Sequence, residues 1–276
     1  MQISSQQIVI EAGRSARHYW RDLWRYRELF LFLAWRDILV KYKQTVIGVA
    51  WAVVRPLLTM IIFTIVFGKL AKLPSEGIPY PVLVFSAMLP WYFFSSTFSE
   101  GSISLIQNAN IISKVYFPRV IIPVSAVVVS LVDFVISFVL LLALMVWYQF
   151  IPDWRILFLP VFLILAVVVS MGPILWLAAL NVKYRDVRFV VPFLIQLGLL
   201  ISPVGFSSSI IPEQWRLIYS LNPMVGVIEA FRWSTLGGQT PLYVPSLISS
   251  LTIAALLLVS GIWYFRRTER SFADVI

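Results

Sequence analysis

The run VIIPVSAVVVSLVDFVISFVLLLALMVWY, residues 120–148, contains a single charged residue, Asp133. A helix rising 1.5 Å per residue needs about 20 residues to cross a hydrocarbon layer of about 30 Å, so this run is long and apolar enough to span a membrane. Further apolar runs bounded by charges or turn residues lie at 47–69, 80–100, 157–180, 189–206 and 243–265. The expectation is an all-α membrane protein with six transmembrane helices per chain. The runs at 80–100 and 189–206 are short and interrupted, by Pro90 and by Pro192, Gly198 and Pro203. Such breaks are tolerated where backbone lines a cavity or a neighbouring helix.

Composition points the same way. The chain is 60% hydrophobic and 13% charged, whereas globular chains run near half apolar and a quarter charged. With no cysteine there is no disulfide framework and no thiol catalysis, and one histidine, His18, makes a His-based metal centre or triad implausible. The first apolar run follows more than forty residues rich in Arg and Trp, so no cleavable signal peptide is expected.

Of the 22 basic residues, 16 fall in the N-terminal arm, the second and fourth connections and the tail. Five (Lys69, Lys72, Arg155, Arg216, Arg232) fall on the opposite side, and Arg55 lies inside the first span. This bias places both termini in the cytoplasm. The chain then divides into a cytoplasmic amphipathic arm (1–46), a six-span domain (47–265) and a cytoplasmic tail (266–276). The net charge of +9 sits mainly in the arm, so it needs no nucleic acid to explain it.

In the arm, Arg14, Arg17, Arg21 and Arg25 recur on one helical face, with Trp20, Leu23, Trp24, Leu31 and Trp35 available for the other. The pattern fits an interfacial helix on anionic lipid, acting either as an anchor or in handling an anionic substrate. The connection 207–242 is largely apolar. Pro212 can start one short helix through Ser220, and Met224 to Leu236 can form a second, ended by Gly237-Gly238. Each is too short to cross, which leaves a re-entrant pair or two helices flat on the surface.

Catalysis by this chain is not expected. Asp133 is the only acid well within a span, and the Walker pattern fails because Gly68-Lys69 is followed by Leu70 while Phe63 stands where the earlier glycine belongs. ATP-driven transport would need another subunit to bind the nucleotide. Arg55, before Pro56, either faces a bundle interior or snorkels to headgroups. Asp133 serves as a structural pair or as an ion-coupling group, and Arg55 is one candidate partner for it. Trp91-Tyr92-Phe93-Phe94 after Pro90 offers aromatic faces suited to sugar rings or to packing. Gly101 to Arg119, with Asn108, Asn110, Lys114 and Tyr116, reads as a short cytoplasmic helix that either docks a protein or merely connects.

Several motifs in order carry a resemblance. They are Trp35-Arg36-Asp37, Tyr42-Lys43-Gln44-Thr45-Val46-Ile47-Gly48 with Trp51 and Pro56, and Leu89-Pro90-Trp91. Asn108-Ala109-Asn110, Ser113-Lys114-Val115-Tyr116-Phe117-Pro118-Arg119, Asn181-Val182-Lys183-Tyr184-Arg185-Asp186 and Leu221-Asn222-Pro223-Met224 follow. Over about residues 30–265 the chain resembles ABC-2 type permeases of bacterial exporters for O-antigen, capsule and teichoic acid. The longer arm before residue 30 and the charge at Arg55 depart from that pattern.

The resemblance implies a homodimer in the bacterial cytoplasmic (inner) membrane, joined to two ATP-binding cassette subunits that hold ATP and Mg, with no cofactor on this chain. The substrate it implies is a polysaccharide on undecaprenyl diphosphate. By this likeness 101–119 is the coupling helix, with Asn108, Asn110, Lys114, Tyr116 and Arg119 facing the ATPase, the arm is an interface helix, and 207–240 holds periplasmic gate helices. Arg55, Trp51, Trp91, Tyr92 and Phe93 would meet substrate, and Arg36, Lys41, Lys43, Arg185 and Arg188 would meet the entering diphosphate. An ABC-2 exporter of a small drug or lipid, and a stand-alone channel or ion-coupled carrier, are the alternative readings.

Overall fold

A computed structural model describes residues 16–43 and 48–272. Eleven α-helices follow one another among them, and no strand occurs. α1 (Ala16–Arg25) and α2 (Arg27–Lys43) meet at a turn at Tyr26. α3 (Gly48–Phe63) continues through a π-helical segment, Thr64–Leu70. α4 is Tyr80–Gln107, α5 Ala109–Ile112, α6 Ile121–Trp147 and α7 Leu159–Lys183. α8 (Val187–Ile201), α9 (Glu213–Tyr219), α10 (Pro223–Thr235) and α11 (Val244–Thr268) complete the chain.

Among the described residues, five helical segments are long and apolar enough to cross a membrane: Ala50–Leu70, Tyr80–Gln107, Ile121–Trp147, Trp154–Lys183 and Val244–Ser271. α8, with 15 residues, is shorter, roughly 22 Å at 1.5 Å per residue. Helix ends where Pro203 bars α-geometry at Ser202, whose ψ is 151°. The expected break of the second span at Pro90 does not occur. α4 runs unbroken for 28 residues past Pro90 because α3, α6, α7, α8 and α10 surround it. In it, 72% of the apolar stretch is buried, against 11% in α3.

α4 is therefore the axis of the bundle. α6 and α7 pack along it, and α11 packs on α7 in the most extensive helix pair of the chain. That last contact is close: a Cβ on Gly172 would lie 2.5 Å from the carbonyl carbon of Leu257, and one on Gly261 would lie 2.6 Å from Gly172 O. Small residues at such crossings let backbones approach without losing packing. The aromatic core is joined by Phe134, whose ring meets Phe93 at 6.1 Å and Phe231 at 5.9 Å.

The two short helices expected between spans five and six are present as α9 and α10, but they differ. α9 has no buried residue, whereas 11 of the 13 residues of α10 are buried against α11, α4 and α7. α10 thus enters the bundle rather than lying on its surface. Asn222 caps it by accepting from the Met224 amide at 3.0 Å, Pro223 occupies its first turn, and Gly237 and Gly238 end it with φ of 62° and 73°.

At the opposite end of the bundle from α10, the single expected interfacial arm becomes two helices. Arg14 and residues 44–47 lie outside the described residues, as do the side chains of Arg17 and Trp20. α2 packs on α6, with Leu33 in a second core made with Leu105, Ile112, Phe117, Phe265 and Phe272.

Candidate functional site

The connection expected as one helix over 101–119 has a different construction. Residues 101–107 are the last turns of α4, Asn108 ends that helix, and α5 is a single turn. Beyond it, Ser113, Lys114, Val115 and Tyr116 project into solvent, with Tyr116 57% exposed. Both flanks of this knob are anchored. On one side Asn108 is buried, donating to Ser104 O at 2.9 Å and accepting from Arg36 Nη2 at 2.7 Å. On the other, Phe117 is buried and the Arg119 amide donates to Glu269 Oε1 at 2.7 Å, while the Arg119 guanidinium donates to Glu269 O. Of the expected coupling residues, Asn110, Lys114 and Tyr116 are thus presented outward, while Asn108 and Arg119 hold the platform. An apolar and basic knob on a fixed base suits docking against a partner surface.

The expected substrate-facing residues split. Trp91 and Phe93 are only 3% and 1% exposed. Trp91 fills the space above Gly198 of α8, where an added Cβ would meet its ring at 2.7 Å, and Phe93 meets Phe134 edge to face. They are core residues of this chain, because the continuous helix turns those two positions toward α8 and α6. Trp51, Arg55 and Tyr92 remain accessible on the face formed by α3 and α4. On the same face, Thr59 Oγ1 donates to Arg55 O at 3.0 Å.

The five cations expected at the diphosphate entry do not form one cluster. Arg36 is held by Asp37 and Asn108, and Lys41 pairs with Asp133 at 2.6 Å. Arg185 and Arg188 lie at the start of α8, whose main partners are α4 and α7, whereas α2 packs mainly on α6 and α3. The guanidinium of Arg188 sits over the Phe189 ring at 4.8 Å. Lys43, Arg185 and Arg188 are exposed. The suggested Arg55–Asp133 pair is replaced by the Lys41 contact, to which Tyr42 adds a hydrogen bond on the other carboxylate oxygen.

The family described as ABC-2 type transporter matches residues 28–236. The chain belongs to the ABC-2 type transporter family. The match takes in α2, the knob and α10 in one stretch, and with five segments long and apolar enough to cross among the described residues this ABC-2 chain is a multi-pass membrane protein. It is 29% identical over 260 residues to the O-antigen export system permease protein of Myxococcus xanthus, covering 93% of this chain and 98% of that one. A Klebsiella pneumoniae protein of the same name is 28% identical over 251 residues, covering 90% of this chain and 95% of the other. The polysialic acid transport protein of Escherichia coli is 25% identical over 249 residues, covering 87% and 93% respectively.

Two polar centres of this ABC-2 chain go beyond what the sequence pattern announces: one is new, and the other gives the expected structural pair of Asp133 its partners. One is Arg232, 2% exposed in α10, whose Nη1 donates to Phe206 O at 2.8 Å, Nη2 to Val204 O at 3.1 Å and Nε to Leu83 O at 3.3 Å. Beside it, the buried Glu229 accepts from Ser208 and Ser246. The adjoining cavity, lined also by Arg216 and Tyr243, has about 100 Å³. That is room for a few waters and not for a sugar chain. A Glu and an Arg three positions apart inside an apolar 13-residue helix were the available signal. The second centre, around Asp133, joins residues over 90 positions apart, which no local pattern announces.

Proposed function

We propose that the chain is the permease subunit of an ATP-driven exporter that moves a polysaccharide, carried on undecaprenyl diphosphate, across the bacterial inner membrane. Two copies form the passage and two ATPase subunits dock at the knobs. The observation that carries this reading is the anchored, exposed turn at 113–116, in a chain that lacks its own nucleotide-binding motif and matches O-antigen permeases over nearly their full length. The basic bias of the sequence places the knob and both termini on the cytoplasmic side and α10 outside.

A second copy has a natural place. α3 and α8 are the least covered apolar helices, and the face beside them carries Arg55, Thr59 and Tyr92. Polar groups facing lipid are costly, whereas the same groups facing a hydrated passage are not. Arg55 and Tyr92 then meet the moving glycan, Tyr92 with an aromatic face and a polar tip.

The test is hydrolysis and export by the purified permease–ATPase complex. The permease alone is expected to hydrolyse no ATP. Replacing Lys114 and Tyr116 together with Ala is expected to cost about 2 kcal/mol of docking energy, roughly thirtyfold in affinity. Export and stimulated hydrolysis then fall together while membrane insertion persists. Wild-type values for that variant would remove the knob from the role.

A further inference from the structure

Asp133 is the only charged residue in the 27 residues of α6, about 18 Å along its axis from Ile121. The proposed transport route makes no use of it. Its carboxylate nevertheless gathers three side chains from two neighbouring helices, α2 and α4. Lys41 Nζ lies 2.6 Å from Oδ2, the Tyr42 hydroxyl donates to Oδ1, and Ser96 of α4 donates to Oδ2 at 3.4 Å. Ser130, one turn before it, donates to Ser96 Oγ at 3.2 Å. Burial, together with the carboxylate, pushes the Tyr42 phenol well above its ordinary range, so it stays protonated and keeps donating.

α2 is therefore held at two heights. Near its middle, Arg36 bonds Asn108, the residue that joins α4 to α5 and begins the path to the exposed knob. At its end, Lys41 and Tyr42 grip α6, and α3 starts at Gly48, five residues after Lys43. Leu33 of α2 shares an apolar core with Ile121 and Ile122 of α6, and such packing holds helices together but tolerates sliding. A charged pair with two further donors specifies register instead.

We propose that Asp133 is a positioning residue of the transport cycle, clamping α2 to α6 through Lys41 and Tyr42. A push received at 113–116 and passed through Asn108 and Arg36 is thereby delivered to α3 rather than lost as slippage of α2. The proposal rests on the knob being the ATPase docking point. It treats α2 as a lever whose fulcrum is the ion pair, and α3, the least covered span, as the element that moves.

The experiment measures glycan exported per ATP hydrolysed in proteoliposomes of the full complex. Asp133→Asn keeps hydrogen-bonding capacity but breaks the ion pair. It is expected to assemble with the ATPase in normal yield, to retain basal hydrolysis and to lose export at least tenfold. Exchanging the two charges, Lys41→Asp with Asp133→Lys, is expected to restore most of the ratio, and normal assembly of Asp133→Asn with export lost separates positioning from mere stability. Asp133→Asn with an export ratio within twofold of wild type overturns the proposal, and so does a charge exchange that assembles normally but does not raise the ratio. Failure of all the variants to assemble, the charge exchange included, assigns Asp133 to stability and overturns it too. If the Lys114 and Tyr116 variant exports normally while Asp133→Asn does not, the docking reading has failed and with it this route of transmission.

Discussion

Arg232→Met is expected to cost this protein about 4 kcal/mol of stability and lower its unfolding temperature in detergent by on the order of 10 °C. Methionine matches the volume of the arginine stem, so the loss isolates hydrogen bonding. The guanidinium serves three carbonyls from two parts of the chain: Leu83 in α4, and Val204 and Phe206 in the non-helical stretch after α8. Those two carbonyls have no helical ladder to join because Pro203 ends α8. Irregular backbone survives in such surroundings only where protein groups satisfy it, and each buried orphan costs about 1–3 kcal/mol. Glu229, buried beside Arg232, would also lose one of its two compensating charges, leaving Arg216. Arg232→Lys is expected to fall between, since one ammonium cannot reproduce the planar fork. Thermal unfolding followed by intrinsic Trp fluorescence measures both, and a Met variant melting within 2 °C of wild type, roughly half a kcal/mol, would contradict this role.

Gly172→Leu is expected to abolish the folded protein. The obstacle is backbone: the new Cβ would fall 2.5 Å from Leu257 C and 2.7 Å from Leu258 N, neither of which can rotate away. Overpacking costs about 1–3 kcal/mol where side chains can adjust, and more where main chain must separate. Separation of α7 from α11 would also undo the Trp176–Tyr264 stack at 4.2 Å and the Trp176 Nε1 bond to Ser260 at 3.1 Å. It would carry off the end of α11 and the turn that follows it, where Phe265, Glu269 and Phe272 seat the knob through Phe117 and Arg119. The expected result is aggregated protein on size-exclusion chromatography. Leu256→Ala, at an exposed position of the same helix, should change little, roughly half a kcal/mol or less.

The long spans were legible because nothing but lipid or a membrane core accepts runs such as 120–148 and 243–265. α10 was legible to within two residues from Asn222-Pro223 and Gly237-Gly238, since caps are local chemistry. Misreadings arose where tertiary contacts overrule local signals. Residues 101–107 look like a polar connector, yet Gly101, Ser102 and Ser104 are buried because α7 packs against them: a Cβ on Gly101 would meet Ile174 at 2.5 Å, and Asn181 Nδ2 donates to Ser102 O at 2.9 Å. The aromatic run after Pro90 suits sugar rings or packing, and a helix distributes four consecutive residues around its circumference, so Trp91 and Phe93 take the packing role while Tyr92 stays accessible. The sequence offers Lys41 as one of the cations meeting a diphosphate at the membrane boundary. Its pairing with Asp133 depends on α2 packing against α6, and no spacing in the sequence encodes that.

The central claim is that this chain carries a lipid-linked polysaccharide outward at the expense of ATP consumed by a partner. The most direct measurement is the accessibility of the glycan to an added lectin in intact spheroplasts of cells lacking the chain, before and after permeabilisation. The account predicts glycan that is hidden until the membrane is opened, and surface glycan restored by the wild-type chain but not by the Lys114 and Tyr116 variant. Glycan exposed normally in the cells lacking the chain would contradict it.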